Sequence, residues 1–381
     1  MQNKFILLLI LLVFASSCST DVDINTDWQE NTIVYGLLDQ RLPTQYIRVN
    51  KAFLDANTSA LQIAQIADSL YYKNAIVTVE EYTSYDVSKE GLTTVYGNPS
   101  RIFSLEKVNA ADEGIEKEDG FFATEPYFVY KFDTEGENAL QDNRAYRLHI
   151  VTDSGKEVWA TTPLVYEPSV GGQANDFFRQ PRVTTQINFT LPTATNVAPP
   201  QIRVEFDAPT NGAIYDMFLL INYNETEIAN SGNVQAKVLK MPLFVNFENS
   251  DFDTGSSLTR KEYKYLDAMD VLLYMSQHIA ANDMVYRDLT SIDFIADVAT
   301  QDVKNFIDIG LAAQTSISQG QFSPEFTNIT NGLGLFGART RYEINIPNFT
   351  NSGLDELGCG SVSGGINFAP SPGNVHYPFC P

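Results

Sequence analysis

The sequence predicts a mainly β protein: an immunoglobulin-like or transthyretin-like β-sandwich with a helical insertion, then a β-rich second domain carrying two helices. Three observations carry that expectation. Short alternating apolar and polar stretches follow one another between residues 31 and 166, separated by Gly, Asn, Asp and Pro. Two later stretches, 262–281 and 300–314, switch to a helical period. With 24 Phe and 19 Tyr in a chain that is 44% hydrophobic, there is ample apolar side chain for globular cores, which excludes wholesale disorder.

The elements follow in order. NTIVYGLLD (31–39) and QYIRVNKAF (45–53) alternate around Tyr35, Leu37, Tyr46, Ile47, Val49 and Phe53, with RLPT between them as a turn. Leu61, Ile63, Ala64, Ile66, Ala67 and Leu70 recur at three-and-four spacing behind Asn57 and Thr58, the cap candidates of a helical insertion. NAIVTVEEYTS, an acidic loop from Glu106 to Gly120, PYFVYKFD, AYRLHIVTDSG and KEVWATTPLV complete the sandwich. Phe128, Tyr130 and Phe132 share one face at period two and are expected to point inward.

EPSVGGQAND, residues 167–176, reads as a linker. Beyond it, QINFTLP, QIRVEFDAP and AIYDMFLLINYNE read as strands. Leu266, Met269, Leu272, Leu273, Met275 and Ile279 cluster on one side of a helix over 262–281. SIDFIADVA reads as a strand and TQDVKNFIDIGLAAQ as a helix with Thr300 as N-cap and Asp302 in its first turn. The chain then runs through FTNITNGLGLFGA and RYEINIP into a tail with no periodicity. The glycines of GLGLFGA are expected to supply positive-φ positions and close packing beside Phe336.

At the start, Lys4 precedes an apolar run from Phe5 to Phe14, then Ala15, Ser16, Ser17 and Cys18. The run is shorter than the roughly 20 residues that span a bilayer. It reads as a lipoprotein signal peptide over residues 1–17, with Cys18 acylated after cleavage. Residues 18–28 then form an acidic tether, 29–166 the sandwich, 167–176 the linker and 177–381 the second domain. Each buried methylene of an acyl chain contributes about 0.8 kcal/mol, so two chains give stable attachment to the membrane.

The net charge of −22 excludes nucleic acid as an expected partner and excludes anchoring through a polybasic patch. Cys359 and Cys380, both near the end of an exported chain, are expected to form a disulfide across a Gly-, Ser- and Pro-rich loop. Such a staple stabilises by roughly 3 kcal/mol.

Motifs for chemistry are sparse. His149, His278 and His376 lie on a strand, a helix and the tail without metal-ligand spacing. GCGSVSGG places no serine at the centre of a nucleophile elbow, and GLGLFGA lacks the strand-to-helix context of a phosphate loop. No catalytic residue and no cofactor is expected. Asp251, Asp253 and Glu262 sit at offsets one, three and twelve of a calcium loop, but Gly255 and Ser256 break the pattern, and a solvated acidic loop is the simpler reading. Phe121 and Phe122, in FFATEP, are the candidate exposed contact. Asp68, Ser69 and Leu70 match a short O-glycosylation pattern that a polar helix residue also satisfies.

Together, the anchor with Asp21 and Asp23 behind Cys18, IVYGLLD with QYIRVNKAF, NAIVTVEEY, NRAYRLHIVTDSGKEVWATT and FSPEFTNITNGLGLFGA resemble a family of Bacteroidota outer-membrane lipoproteins known mainly as a domain of unknown function. The resemblance implies a β-rich lipoprotein at the cell surface rather than the periplasmic face of the outer membrane, found with barrels such as TonB-dependent receptors. The expected function is a non-enzymatic accessory or interaction subunit of an outer-membrane barrel complex, either a transporter or machinery for outer-membrane protein assembly or export. Two alternatives stand beside it: a surface lipoprotein that captures glycans, and a hydrolase using paired carboxylates.

Overall fold

The computed structural model describes residues 30–52, 60–88, 90–117, 120, 122–167, 169–170, 173–174, 186–192, 201–248, 261–315, 326–378 and 380. The expected signal peptide, Cys18 and the expected tether lie outside the described residues, as do Asn57 and Thr58. The chain is mainly β, as expected.

The N-terminal unit contains β1 (Thr32–Leu38), β2 (Thr44–Lys51), α1 (Ala60–Ala64), α2 (Ala67–Leu70), β3 (Ile76–Tyr82), β4 (Tyr85–Val87), β5 (Thr93–Val95), β6 (Arg101–Ser104), β7 (Glu106–Asn109), β8 (Phe128–Asp133), β9 (Ala145–Val151) and β10 (Glu157–Pro163). After the small ribbon of β11 (Ser169–Val170) and β12 (Gln173–Ala174) come β13 (Gln201–Asp207), β14 (Ile214–Glu227), β15 (Asn230–Glu248), β16 (Lys261–Asp267), α3 (Ala268–His278), β17 (Val285–Ala299), α4 (Gln301–Thr315), β18 (Gly332–Ile346) and α5 (Asn351–Cys359).

Among the described residues the strands form an eight-stranded sheet in the order β15-β14-β17-β18-β1-β2-β8-β7, and a four-stranded sheet in the order β10-β9-β3-β6. Period-two alternation decides which side chains meet between them. Val34, Leu38, Ile47, Val49, Tyr130 and Phe132 from the large sheet pack on Val77, Val79, Tyr146, Leu148, Ile150 and Val158 from the small one. This is a β-sandwich.

A second core lies in the C-terminal unit. Tyr215, Met217, Leu219, Ile221 and Tyr223 alternate along β14 onto one face beside Phe294 of β17, where Val271, Leu272 and Met275 of α3, Leu357 of α5 and Phe368 of the tail pack with them. The large sheet joins the two units, because β18 pairs in parallel with β1, from Thr32↔Gly332 to Leu38↔Ala338.

Several local readings change. The insertion is two short helices broken at Ile66, whose backbone is extended (φ −101°, ψ 105°); the Ser69 hydroxyl donates toward the Ile63 and Ile66 carbonyls around the break. The start of the expected 262–281 helix, as far as Asp267, is strand β16, paired with β13; the aromatic, alternating Tyr263 and Tyr265 favour a strand there. QINFTLP contributes one bridge, Ile187 to Phe349, rather than a strand. The Glu106–Gly120 loop begins as β7. Thr300 sits at the start of α4, its carbonyl accepting from the Lys304 amide at 3.1 Å, but its hydroxyl accepts the Ala338 amide from β18.

Candidate functional site

The feature that stands apart is β15. Its 19 residues form the edge of the large sheet, hydrogen-bonded on one side to β14. In its second half, Leu239 and Leu243 pack against the C-terminal core and Met241 belongs to it. In its first half both faces are open: from Asn230 to Val238 every residue but the half-buried Asn233 is exposed. Val234 (51% exposed) and Val238 (61%) lie on one face with Ala236 between them, and Val245 is exposed further along.

Such an edge presents a row of backbone N–H and C=O groups to any strand that can lie beside it, and monomeric proteins guard against this with Lys, Pro and short edges. Here the guards are confined. Lys237, Lys240 and Pro242 protect the middle of the strand, and the Lys240 ammonium is drawn back over the Phe218 ring, 3.5 Å from its centroid. Asn230 to Ala236 carry no charge and no proline. From Asn230 to Phe247 the strand contains two lysines and no acidic residue, in a chain whose net charge is −22.

None of the sequence-predicted positions that the structure describes lies on β15. Phe121 lies outside the described residues; Phe122 is 52% exposed, with the Lys117 ammonium 5.8 Å from its ring centroid. Asp251 and Asp253 also lie outside them, and Glu262 stands in β16 opposite Phe206 of β13. Cys359 and Cys380 are paired as a disulfide, their Cα atoms 5.4 Å apart, tying the tail to the end of α5. Ser69 bonds to backbone carbonyls of its own insertion.

The histidines do not meet. His149 lies on the outer face of the small sheet, 3.8 Å from Glu80 and 3.9 Å from Glu157. His278 stacks on Tyr274 with ring centroids 3.9 Å apart, and His376 is in the exposed tail. Among the described residues no group of three or more His, Cys, Asp or Glu side chains is arranged to hold a metal ion, and no helix is long and apolar enough to cross a membrane.

No protein-family model matches the chain. No curated protein matches its sequence either. The lipoprotein resemblance therefore rests on the sequence segments that suggested it.

Proposed function

We propose that this protein is a non-enzymatic lipoprotein, held at the cell-surface face of the outer membrane by acyl chains on Cys18, that acts as an accessory subunit of an outer-membrane β-barrel complex. The complex would be a transporter or the machinery that assembles or exports outer-membrane proteins. The single observation that carries the reading is the open edge of β15 between Asn230 and Val238. Among the described residues no strand pairs with its outer side, and strand addition there supplies affinity through main-chain groups and specificity through the alternate side chains. Lys237 on this edge, with no acidic residue beside it, favours a partner strand or loop bearing acidic residues.

Acylation and edge pairing reinforce each other. Confinement to the membrane raises the effective concentration of the two partners, so a modest contact of about 1,000 Å² is enough for a specific complex. The test is affinity capture of the acylated chain from detergent-solubilised outer membranes, with Val234→Glu/Val238→Glu as the comparison. A β-barrel protein recovered with the wild type and lost with the double variant supports the reading; a chain that elutes alone under mild extraction contradicts it.

A further inference from the structure

A second place in the molecule is built differently from the β15 edge. Asp302, in the first turn of α4, is only 4% exposed, yet open space lies on both sides of it: a cavity of about 150 Å³ and another of about 210 Å³. The larger cavity sits on the outer face of the small sheet. Arg147 of β9 and Trp159 and Thr161 of β10 form its floor, Thr93 of β5 a wall, and Asp302 and Asn328 the far side. The β4–β5 hairpin that closes it is held in place at its tip, where Gly91 (φ +86°) lies so close to Gln301 that a methyl group would overlap that side chain.

The polar groups around this space are not fully used. Thr93 Oγ1 and Arg147 Nε are buried and have no hydrogen-bond partner among the described residues. Native proteins satisfy nearly all such atoms, and both residues line this cavity. Asn328 is already committed to the backbone of Phe336 through both its amide nitrogen (2.6 Å) and its oxygen (2.9 Å), which fixes it as part of the wall.

The charge balance narrows the occupant. A lone cation would face the Arg147 guanidinium, which already lies over the Tyr82 ring at 5.0 Å, and a lone anion would face the Asp302 carboxyl once it ionises above about pH 7. What remains is a donor at Arg147, hydroxyls at Thr93 and Thr161 that both give and accept, a carboxyl, and the indole of Trp159. Hydroxyl groups on a small ring match that alternation, and the ring's C–H face matches an aromatic surface.

We infer that the cavity between β5, β9, β10 and Asp302 binds an uncharged, multiply hydroxylated ligand of the size of one sugar ring. Phe122 is not among its lining residues, and it does not depend on the edge-strand reading. The ligand is held by Asp302, Thr161, Thr93 and Arg147 against Trp159.

Isothermal titration of the full chain with glucose, galactose, mannose and N-acetylglucosamine tests this, with glycine and inorganic phosphate as charged controls. The expected result is saturable binding of at least one sugar and of neither control. Asp302→Asn and Thr161→Val should each weaken it at least about tenfold, the cost of one hydrogen bond to a buried group. Circular dichroism melts identify a variant that fails to fold, in which case the other decides. Three outcomes overturn the inference: no sugar binds, sugar binding is unchanged in the folded variants, or a charged control binds in place of a sugar.

Discussion

Gly334 of β18 lies against Val34 of β1 backbone to backbone, with φ at +108° and no room for a β-carbon: a methyl group there would overlap the Val34 carbonyl oxygen. This contact sits in the middle of the parallel pairing that joins the sandwich to the C-terminal unit. The pairing brings together strands from the two ends of the chain, which no local hairpin can do.

Gly334→Ala is therefore expected to destabilise the whole chain by about 3 kcal/mol or more, combining backbone strain with separation of the two strands. A shift of the urea midpoint measures it. A neutral effect would mean that β1 and β18 do not pair in this register.

Arg287 is 3% exposed and is held by the Glu225 carboxylate at 2.8 Å, the Ala280 carbonyl at 3.1 Å and the Ile366 carbonyl at 2.5 Å. Its backbone also pairs with Asn367 and Ala369 of the tail. Arg287→Met leaves those groups without a donor and should cost about 3 kcal/mol, with faster proteolysis of the segment after Ile366. Limited proteolysis with mass spectrometry reads the second effect, and unfolding in guanidinium the first.

The Cys359–Cys380 bridge spans a sequence separation of 21 residues. By loop-closure entropy, Cys359→Ala/Cys380→Ala should lower stability by about 3 kcal/mol. The wild type should lose the same amount in reductant while the double variant does not respond. Equal melts of the wild type with and without reductant would remove the staple.

Burial pushes the Asp302 carboxyl up to about 7 from its ordinary 3.8, with the hydrogen bond from Asn328 acting in the opposite direction. Between those two values the folded chain holds a proton that the unfolded chain has released. The contribution of this group is thus full below about pH 4, is lost as pH rises toward about 7, and is constant beyond. Urea midpoints at about pH 5 and about pH 8 should converge in Asp302→Asn relative to the wild type. An unchanged difference would place the Asp302 carboxyl in the ordinary range.

The sandwich was legible because its strands alternate cleanly: Tyr130 and Phe132 point inward as period two requires, and Val34, Val49, Val79 and Leu148 do the same. β15 was not legible. NSGNVQAKVLKMPLFVNFE mixes Gly, Asn and Lys with scattered valines because much of its length faces solvent on both sides, so no burial pattern marks it. The helix expected over 262–281 failed up to Asp267 for a related reason, since a strand entering a helix carries apolar residues that fit both periods. The Asp302 cavity assembles from Thr93, Arg147, Trp159, Asp302 and Asn328, residues brought together by long-range pairing, and its one local sign was an acidic residue at a helix start. That sign is indistinguishable from an ordinary dipole contact.

The open edge of β15 carries the functional reading, and a photo-crosslinking amino acid at Val238 tests it most directly in the acylated protein on intact cells, with one at Val375, 92% exposed in the tail, as control. An adduct with an outer-membrane β-barrel protein is expected from position 238 only, abolished by Val234→Glu. An acylated chain in the outer membrane that gives no such adduct from position 238, or gives the same adduct from both positions, would contradict it.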